Sequence, residues 1–136
     1  MYDKHDGPAK CAMKAHLELS GHTVTVPPED KGVDLYSEIG DLTCWHEVEV
    51  SQLWKLGPYP WITGSIPERK LRLIPKVSKG TLYFWQLRLD LRRAVVFGAH
   101  CLQCRFLTEE PNKYVQNGEC FYRPLLTMGK EFNLLC

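Results

Sequence analysis

Three acidic side chains occur on two neighbouring predicted strands, where one divalent cation can collect them. Asp34 belongs to the short alternating run 33–36, and Glu47 and Glu49 belong to a second alternating run. Carboxylate oxygens suit Mg²⁺ or Mn²⁺, and Mg²⁺ is usually held by one or two of them together with water. Such a cation polarises a bound oxygen and lowers the pKa of a bound water. The acids predict a metal site, although three acids on two strands are more often a solvated sheet face.

Two strands joined by a turn must position these acids. Residues 45–51 alternate between apolar and polar, which predicts a strand with Val48 facing the core and with the two glutamates and Ser51 facing outward. Gly40-Asp41 fits a hairpin turn between this strand and the run that contains Asp34. Pairing of the two strands is therefore expected to bring the three acids together.

An acid on one strand, followed by an acid-x-lysine tripeptide on the next, resembles the PD-(D/E)XK nuclease superfamily. The resemblance extends over roughly residues 7 to 125, and the chain is similar to small phage and bacterial proteins of the superfamily that resemble Holliday junction resolvases or restriction endonucleases. The segments that carry it outside the acids are Gly7-Pro8-Ala9-Lys10, Ser20-Gly21-His22, Gly57-Pro58-Tyr59-Pro60, Ile66-Pro67-Glu68-Arg69-Lys70, Leu82-Tyr83-Phe84 and Asp90-Leu91-Arg92-Arg93-Ala94.

The resemblance implies both a fold and an activity. The fold is expected to be α/β (α+β), with a central mixed β-sheet flanked by helices in the order αβββαβ. One domain is expected over residues 1–136, with an irregular tail from about residue 125. The implied activity is that of an Mg²⁺- or Mn²⁺-dependent endodeoxyribonuclease in phage or bacterial DNA processing, either junction resolution or restriction. DNA and a second copy of the chain are the implied partners.

The chain departs from the family pattern at the lysine. If the tripeptide is Glu49-Val50-Ser51, serine stands where lysine is usual; if it is Glu47-Val48-Glu49, glutamate stands there, as in some type II restriction enzymes. Asp34 and Glu49 are the expected metal ligands, and Glu47 is a third ligand or orients the water. Lys10, Ser51 or Lys55 takes an auxiliary role. Loss of the lysine leaves a second interpretation open, in which the domain binds DNA without cutting it.

A basic region follows the acids. Ser65 and Glu68 have the spacing of a helix capping box, so a helix is expected to begin there. The net charge of +1 argues against a strongly basic coat protein, so any DNA contact must come from such a local patch. The expected DNA-binding residues are Arg69, Lys70, Arg72, Lys76 and the preceding Trp54.

Six cysteines allow a further alternative. The chain has no secretory signal and no apolar run long enough to span a membrane, so a cytoplasmic protein with reduced thiols is expected, in a bacterium or a phage-infected cell. Cys101-Leu102-Gln103-Cys104 is a single CxxC, which predicts zinc only weakly. With His100 and Cys120 it would complete a zinc site in a protein-interaction domain, the third interpretation.

The remaining patterns predict the elements around the site. Residues 8–20 form an amphipathic helix that ends at Gly21, and residues 22–26 form a strand. Residues 81–87 and 94–99 are expected to pair as a hairpin beside the acidic strands, and residues 119–123 as a short edge strand. Between them, residues 53–64 form a loop with its own aromatic packing.

Overall fold

A six-stranded mixed sheet and one α-helix form the centre of the structure, a computed structural model that describes residues 6–25, 27, 33–70, 73, 80–110 and 119–134. In chain order the elements are α1 (Asp6–Leu19), β1 (Thr23–Thr25), β2 (Leu35–Ile39), β3 (Leu42–Val50), β4 (Ile66–Pro67), β5 (Thr81–Leu87), β6 (Arg93–Gly98), β7 (Leu107–Glu110), β8 (Glu119–Tyr122) and β9 (Lys130–Asn133). No helix in the described ranges is long and apolar enough to cross a membrane.

The large sheet has the order β1-β2-β3-β5-β6-β9, and the small sheet has the order β4-β8-β7. β3 and β5 pair in parallel with Glu47 opposite Phe84, whereas the other neighbours in the large sheet are antiparallel. A parallel pair needs a long crossover, and here residues 51–80 supply it. That crossover carries β4 and the loop of residues 51–65. The mixed α+β fold expected from the sequence is confirmed.

Helix α1 packs its apolar stripe on one face of the sheet. Ala9, Met13 and Leu17 follow each other at intervals of four residues and are buried against Val48 and Trp85. Complete burial of side chains the size of Met13 or Leu17 stabilises a fold by about 1.5–3 kcal/mol each. The helix ends at Leu19, and Gly21 follows with a positive φ of 96°, a conformation that favours glycine. The predicted helix is confirmed.

The opposite face of the sheet carries a second core. Trp54 and Tyr59 of the crossover pack there with Leu82, Phe84 and Phe97. The aromatic packing expected of the 53–64 loop is thereby confirmed. Because the sheet is covered on both sides, the face that carries the glutamates is closed at Glu47, although Glu49 at its end is exposed. Glu47 is buried, with 8% of its surface exposed, and the prediction that it faces outward is wrong.

Three predicted elements need correction. Ile66–Pro67 is a buried strand paired with β8, and a short 3-10 turn at 68–70 follows it in place of the predicted start of an α-helix. β8 lies between β4 and β7, so it is a central strand of the small sheet and not an edge. Residues 126–134 are not an irregular tail, because a 3-10 turn is followed by β9, which pairs with β6.

Candidate active site

Asp34 and Glu47 lie side by side at the start of β2. The pairing of Leu35 with His46 sets the register, and the preceding residue pair consists of the two acids. The backbone N–H of Val48 donates to Asp34 Oδ2 at 2.8 Å. In return, the backbone N–H of Asp34 interacts with the Glu47 carboxylate. The hairpin therefore fixes two carboxylates at one point, as the sequence predicted for this pair.

A lysine from a different segment holds each carboxylate. Lys10 on α1 brings its Nζ to 3.3 Å from Asp34 Oδ1. Lys70, in the turn after β4, donates a hydrogen bond to Glu47 Oε1. Both lysines are partly buried, with 31% of the Lys10 side chain and 20% of the Lys70 side chain exposed. Solvent therefore weakens these two ion pairs less than it weakens a pair on the open surface. The site thus combines two acids and two ammonium groups.

Opposing effects act on the pKa of the Glu47 carboxyl group. Burial raises its pKa, and the negative charge of Asp34 raises the pKa further, whereas the hydrogen bond and charge of Lys70 lower it. Its Oε2 atom is buried and has no hydrogen-bond partner among the described residues. An orphaned, buried carboxylate oxygen is costly unless a partner occupies it. A hard cation would satisfy this oxygen, so the two acids fit Mg²⁺ or Mn²⁺.

Glu49 lies one step further along β3 and is exposed. It lines a narrow cleft together with Glu47 and Lys70. The three acids nevertheless do not converge: their oxygen atoms are not all within 4.8 Å of one another among the described side chains. Ser51 lines the adjoining cleft, and Lys55 is exposed on the crossover loop. The geometry therefore favours Glu47-Val48-Glu49 as the tripeptide over Glu49-Val50-Ser51.

The predicted DNA-binding residues separate into three groups. Trp54 is completely buried and donates its indole N–H to the Gly57 carbonyl oxygen at 3.0 Å, so its assignment to DNA contact is wrong. Arg69 is exposed beside Lys70, which instead faces Glu47. Arg72 and Lys76 lie outside the described residues. Sequence patterns indicated a basic region but did not show that Lys70 completes the acidic site.

The predicted zinc ligands are only partly adjacent. His100 Nε2 lies 3.5 Å from the Sγ of buried Cys101, and Cys120 lies on β8. The side chain of Cys104 is outside the described part of the structure. The cysteines described as free thiols are Cys11, Cys44, Cys101 and Cys120. The zinc site stays a prediction.

A second polar cluster, which the sequence patterns did not predict, is formed by residues of β2 and β3 and by the residue that precedes β1. Ligand atoms of His22, Cys44 and His46 fall within 4.8 Å of one another. The Ser37 hydroxyl lies between the histidines, 2.8 Å from His22 Nδ1 and 2.8 Å from His46 Nε2. Burial lowers the pKa of His46 to about 3, so its ring is neutral at physiological pH.

The position of the proton on the neutral His46 ring determines whether this cluster can bind a metal. The Trp85 indole can only donate, and its Nε1–H donates to His46 Nδ1 at 2.9 Å. The proton of neutral His46 is therefore on Nε2, where it donates to Ser37 and blocks metal coordination by that nitrogen. The cluster is a satisfied hydrogen-bond network centred on Ser37 and not a metal site.

No protein-family model matches the sequence, and no curated protein matches it either. Among solved structures, the fold is similar to that of Hjc, a Holliday junction resolvase from the archaeal hyperthermophile Archaeoglobus fulgidus. The TM-score is 0.56 at 8% identity, over 88% of this chain and 89% of that chain. At this identity the likeness shows the fold alone: the chain has a mixed α+β, nuclease-like fold.

Proposed function

We propose that this protein is a metal-dependent endonuclease of the PD-(D/E)XK type that hydrolyses phosphodiester bonds in DNA. The single observation that carries the proposal is the Asp34–Glu47 pair, with Lys70 on one oxygen of Glu47 and no hydrogen-bond partner for the other among the residues that the structure describes. The similarity of the fold to that of a junction resolvase supports branched DNA as the substrate class. Phage or bacterial DNA processing is the proposed setting.

Asp34 and Glu47 would hold Mg²⁺ or Mn²⁺, with Glu49 at the open side of the cleft as a further ligand or a ligand to metal-bound water. When bound, the cation supplies charge stabilisation of the phosphoryl group and a water of lowered pKa. Val48 fixes Asp34 through its backbone N–H, so this ligand is oriented before any metal arrives. Pre-orientation of this kind reduces the reorganisation needed during the reaction.

Lys70 takes the role that the family assigns to the tripeptide lysine. Its ammonium group already lies on the carboxylate that begins the tripeptide, although it comes from the turn after β4. A positive charge at this position orients an attacking water and stabilises the developing charge on the phosphate. Lys10 neutralises and positions Asp34 from the helix.

One observation favours a second candidate, a DNA-binding module that does not cut. Lys10 and Lys70 already act as internal counter-ions for the two acids, and counter-ions of this kind can make a metal dispensable. Such a module would bind DNA with a strong salt dependence and show no Mg²⁺-dependent cleavage. The same DNA substrates distinguish the two candidates.

The test is cleavage of supercoiled, linear and four-way-junction DNA with Mg²⁺ or Mn²⁺ by the parent protein, Asp34→Asn and Glu47→Gln. Lys14→Met is the control, because Lys14 is exposed on the same helix as Lys10. We expect cleavage by the parent and Lys14→Met and none by the acid variants. Metal-dependent cleavage by Asp34→Asn at the parental rate would refute the site. Paired cuts need two sites, so we also propose a homodimer, which sedimentation analysis tests.

A further inference from the structure

Two clefts and a separate cavity adjoin one another between the acids and the crossover loop. The cleft with Glu47 and Lys70 also contains Glu49 and Gln86, and these last two line the next cleft as well. Gln86 then forms part of a cavity of about 280 Å³, here called the aromatic cavity. Its lining includes Ser51, Tyr59, Trp61, Thr63, Gln86 and Arg123. The candidate active site and this cavity are therefore neighbours that share Gln86 in their walls.

The aromatic cavity is preformed. The Tyr59 hydroxyl lies 2.9 Å from the Thr63 carbonyl oxygen and 3.1 Å from Gln86 Oε1. Burial raises the pKa of Tyr59 to about 12, so the hydroxyl remains a donor at neutral pH. The Gln86 amide is oriented by donation to the Ser65 carbonyl oxygen. On β9, the Glu131 carboxylate accepts a hydrogen bond from the backbone N–H of Tyr59 at 3.2 Å. The same carboxylate forms an ion pair with Arg93.

The lining combines three kinds of group that recognise a nucleotide. Trp61 packs edge-on against Tyr59 at a ring separation of 5.1 Å and keeps 39% of its surface exposed, so it offers an aromatic surface for stacking. The second N–H of the Gln86 amide, beyond the one that donates to Ser65, and the hydroxyl of Ser51 suit hydrogen bonding to the edge of a base. The guanidinium of Arg123 suits a phosphate. This set matches sites that bind single-stranded nucleic acid.

We propose that the aromatic cavity takes one unpaired nucleotide of the DNA strand, next to the scissile phosphate at the metal site that Asp34 and Glu47 would form. The inference rests on the proposed function and adds what the enzyme selects. The cavity is concave and walled by side chains, so a base must leave the helical stack to enter it. Extruding a base from a duplex costs a few kcal/mol, and this cost is smallest where the base is already unpaired. The cavity therefore selects branched or distorted DNA over intact duplex.

The test is an abasic scan of a four-way junction. Nucleotides around the branch point are replaced by abasic sites one at a time, and binding is measured by fluorescence anisotropy with Ca²⁺ in place of Mg²⁺. We expect one or two adjacent positions to weaken binding on the order of tenfold, since stacking of a base on an aromatic side chain contributes on this scale. Trp61→Ala should weaken binding of the intact junction by a similar factor. Abasic sites at those positions should not weaken its binding further.

Two matched variants complete the test. Trp61→Phe retains an aromatic ring and should keep the positional dependence. Leu56→Ala removes an apolar side chain that is 83% exposed in the same loop, and it should bind like the parent. Two results would overturn this inference alone. The first is a parent protein that cleaves junctions but binds every abasic junction equally well. The second is a Trp61→Ala variant that shows the same positional loss of binding as the parent. Absence of both junction binding and cleavage would overturn the proposed function and the inference together.

Discussion

Lys70 reaches Glu47 from 23 positions further along the chain and forms a hydrogen-bonded ion pair with it in a partly buried setting. The third residue of the tripeptide is Glu49, so the strand itself supplies no lysine to the site. The positive charge on Glu47 thus comes from the crossover between β3 and β5. The site is completed by tertiary structure and not by a local motif.

This relationship predicts that the lysine can be moved. Lys70→Met should lower the rate of junction cleavage on the order of 10²-fold, because a charge that stabilises the transition state is lost. Adding Glu49→Lys to Lys70→Met should restore at least tenfold of this rate, since it returns lysine to the tripeptide. Single-turnover cleavage rates are the measurement. Parental rates for Lys70→Met would refute the assigned role.

The His46 network predicts a dependence of stability on pH. Burial depresses the pKa of His46 to about 3, from an ordinary value of 6.5. Its stabilising contribution is therefore complete above pH 6.5 and is lost as pH falls towards 3, at about 1.4 kcal/mol per pH unit. The groups that face His46 are His22, Tyr83, Trp85 and Ser37.

Urea unfolding between pH 7.5 and 4.5, with EDTA present, measures this effect. His46→Gln should have a shallower slope of unfolding free energy against pH than the parent below pH 6.5. Other histidines and the carboxylates titrate in both proteins, so the difference between the slopes isolates His46. Identical slopes would show that His46 does not remain neutral in the folded protein.

Ser37 is predicted to be a structural centre. Ser37→Ala should reduce the free energy of unfolding by about 1–3 kcal/mol, because the buried Nε2–H of His46 loses its acceptor. Ser20→Ala is the matched control, since Ser20 is exposed and its hydroxyl donates only to the His16 carbonyl oxygen. Urea unfolding at pH 7.5 compares them. Equal losses in the two variants would contradict the central role of Ser37.

Gly80 is predicted to be essential to the parallel strand pair. A Cβ atom at this position would lie 2.1 Å from the Thr43 carbonyl oxygen, and φ is +91°. Gly80→Ala must therefore shift β5 away from β3, and we expect a loss of about 3 kcal/mol or more. Gly7→Ala, in open space on α1, should change stability by less than about 1 kcal/mol. Thermal unfolding of both variants measures the difference.

The elements that carry the acids were predictable because their signals are local. Alternation over residues 45–51, the Gly40-Asp41 turn and the apolar run 81–87 each specify a strand or turn without reference to distant residues. The register of the hairpin then places Asp34 beside Glu47.

Features set by distant packing could not be predicted in this way. Glu47 is buried beside Ile66, Pro67 and Lys70 of the crossover, which the alternation of its own strand does not reveal. Lys70 looked like part of a basic surface because its partner lies on another strand. The Ser37 network joins three strands, and its residues share no spacing that marks a site in the sequence.

The contact between Glu131 and Tyr59 links the order of synthesis to the shape of the groove. Glu131 lies 72 positions after Tyr59, on a strand that is translated after every other described element. A nascent chain can pair β2 with β3, and so bring Asp34 to Glu47, well before it can anchor the loop that walls the aromatic cavity. The acids can therefore pair before β9 docks, and the selectivity for unpaired DNA that we propose depends on that docking.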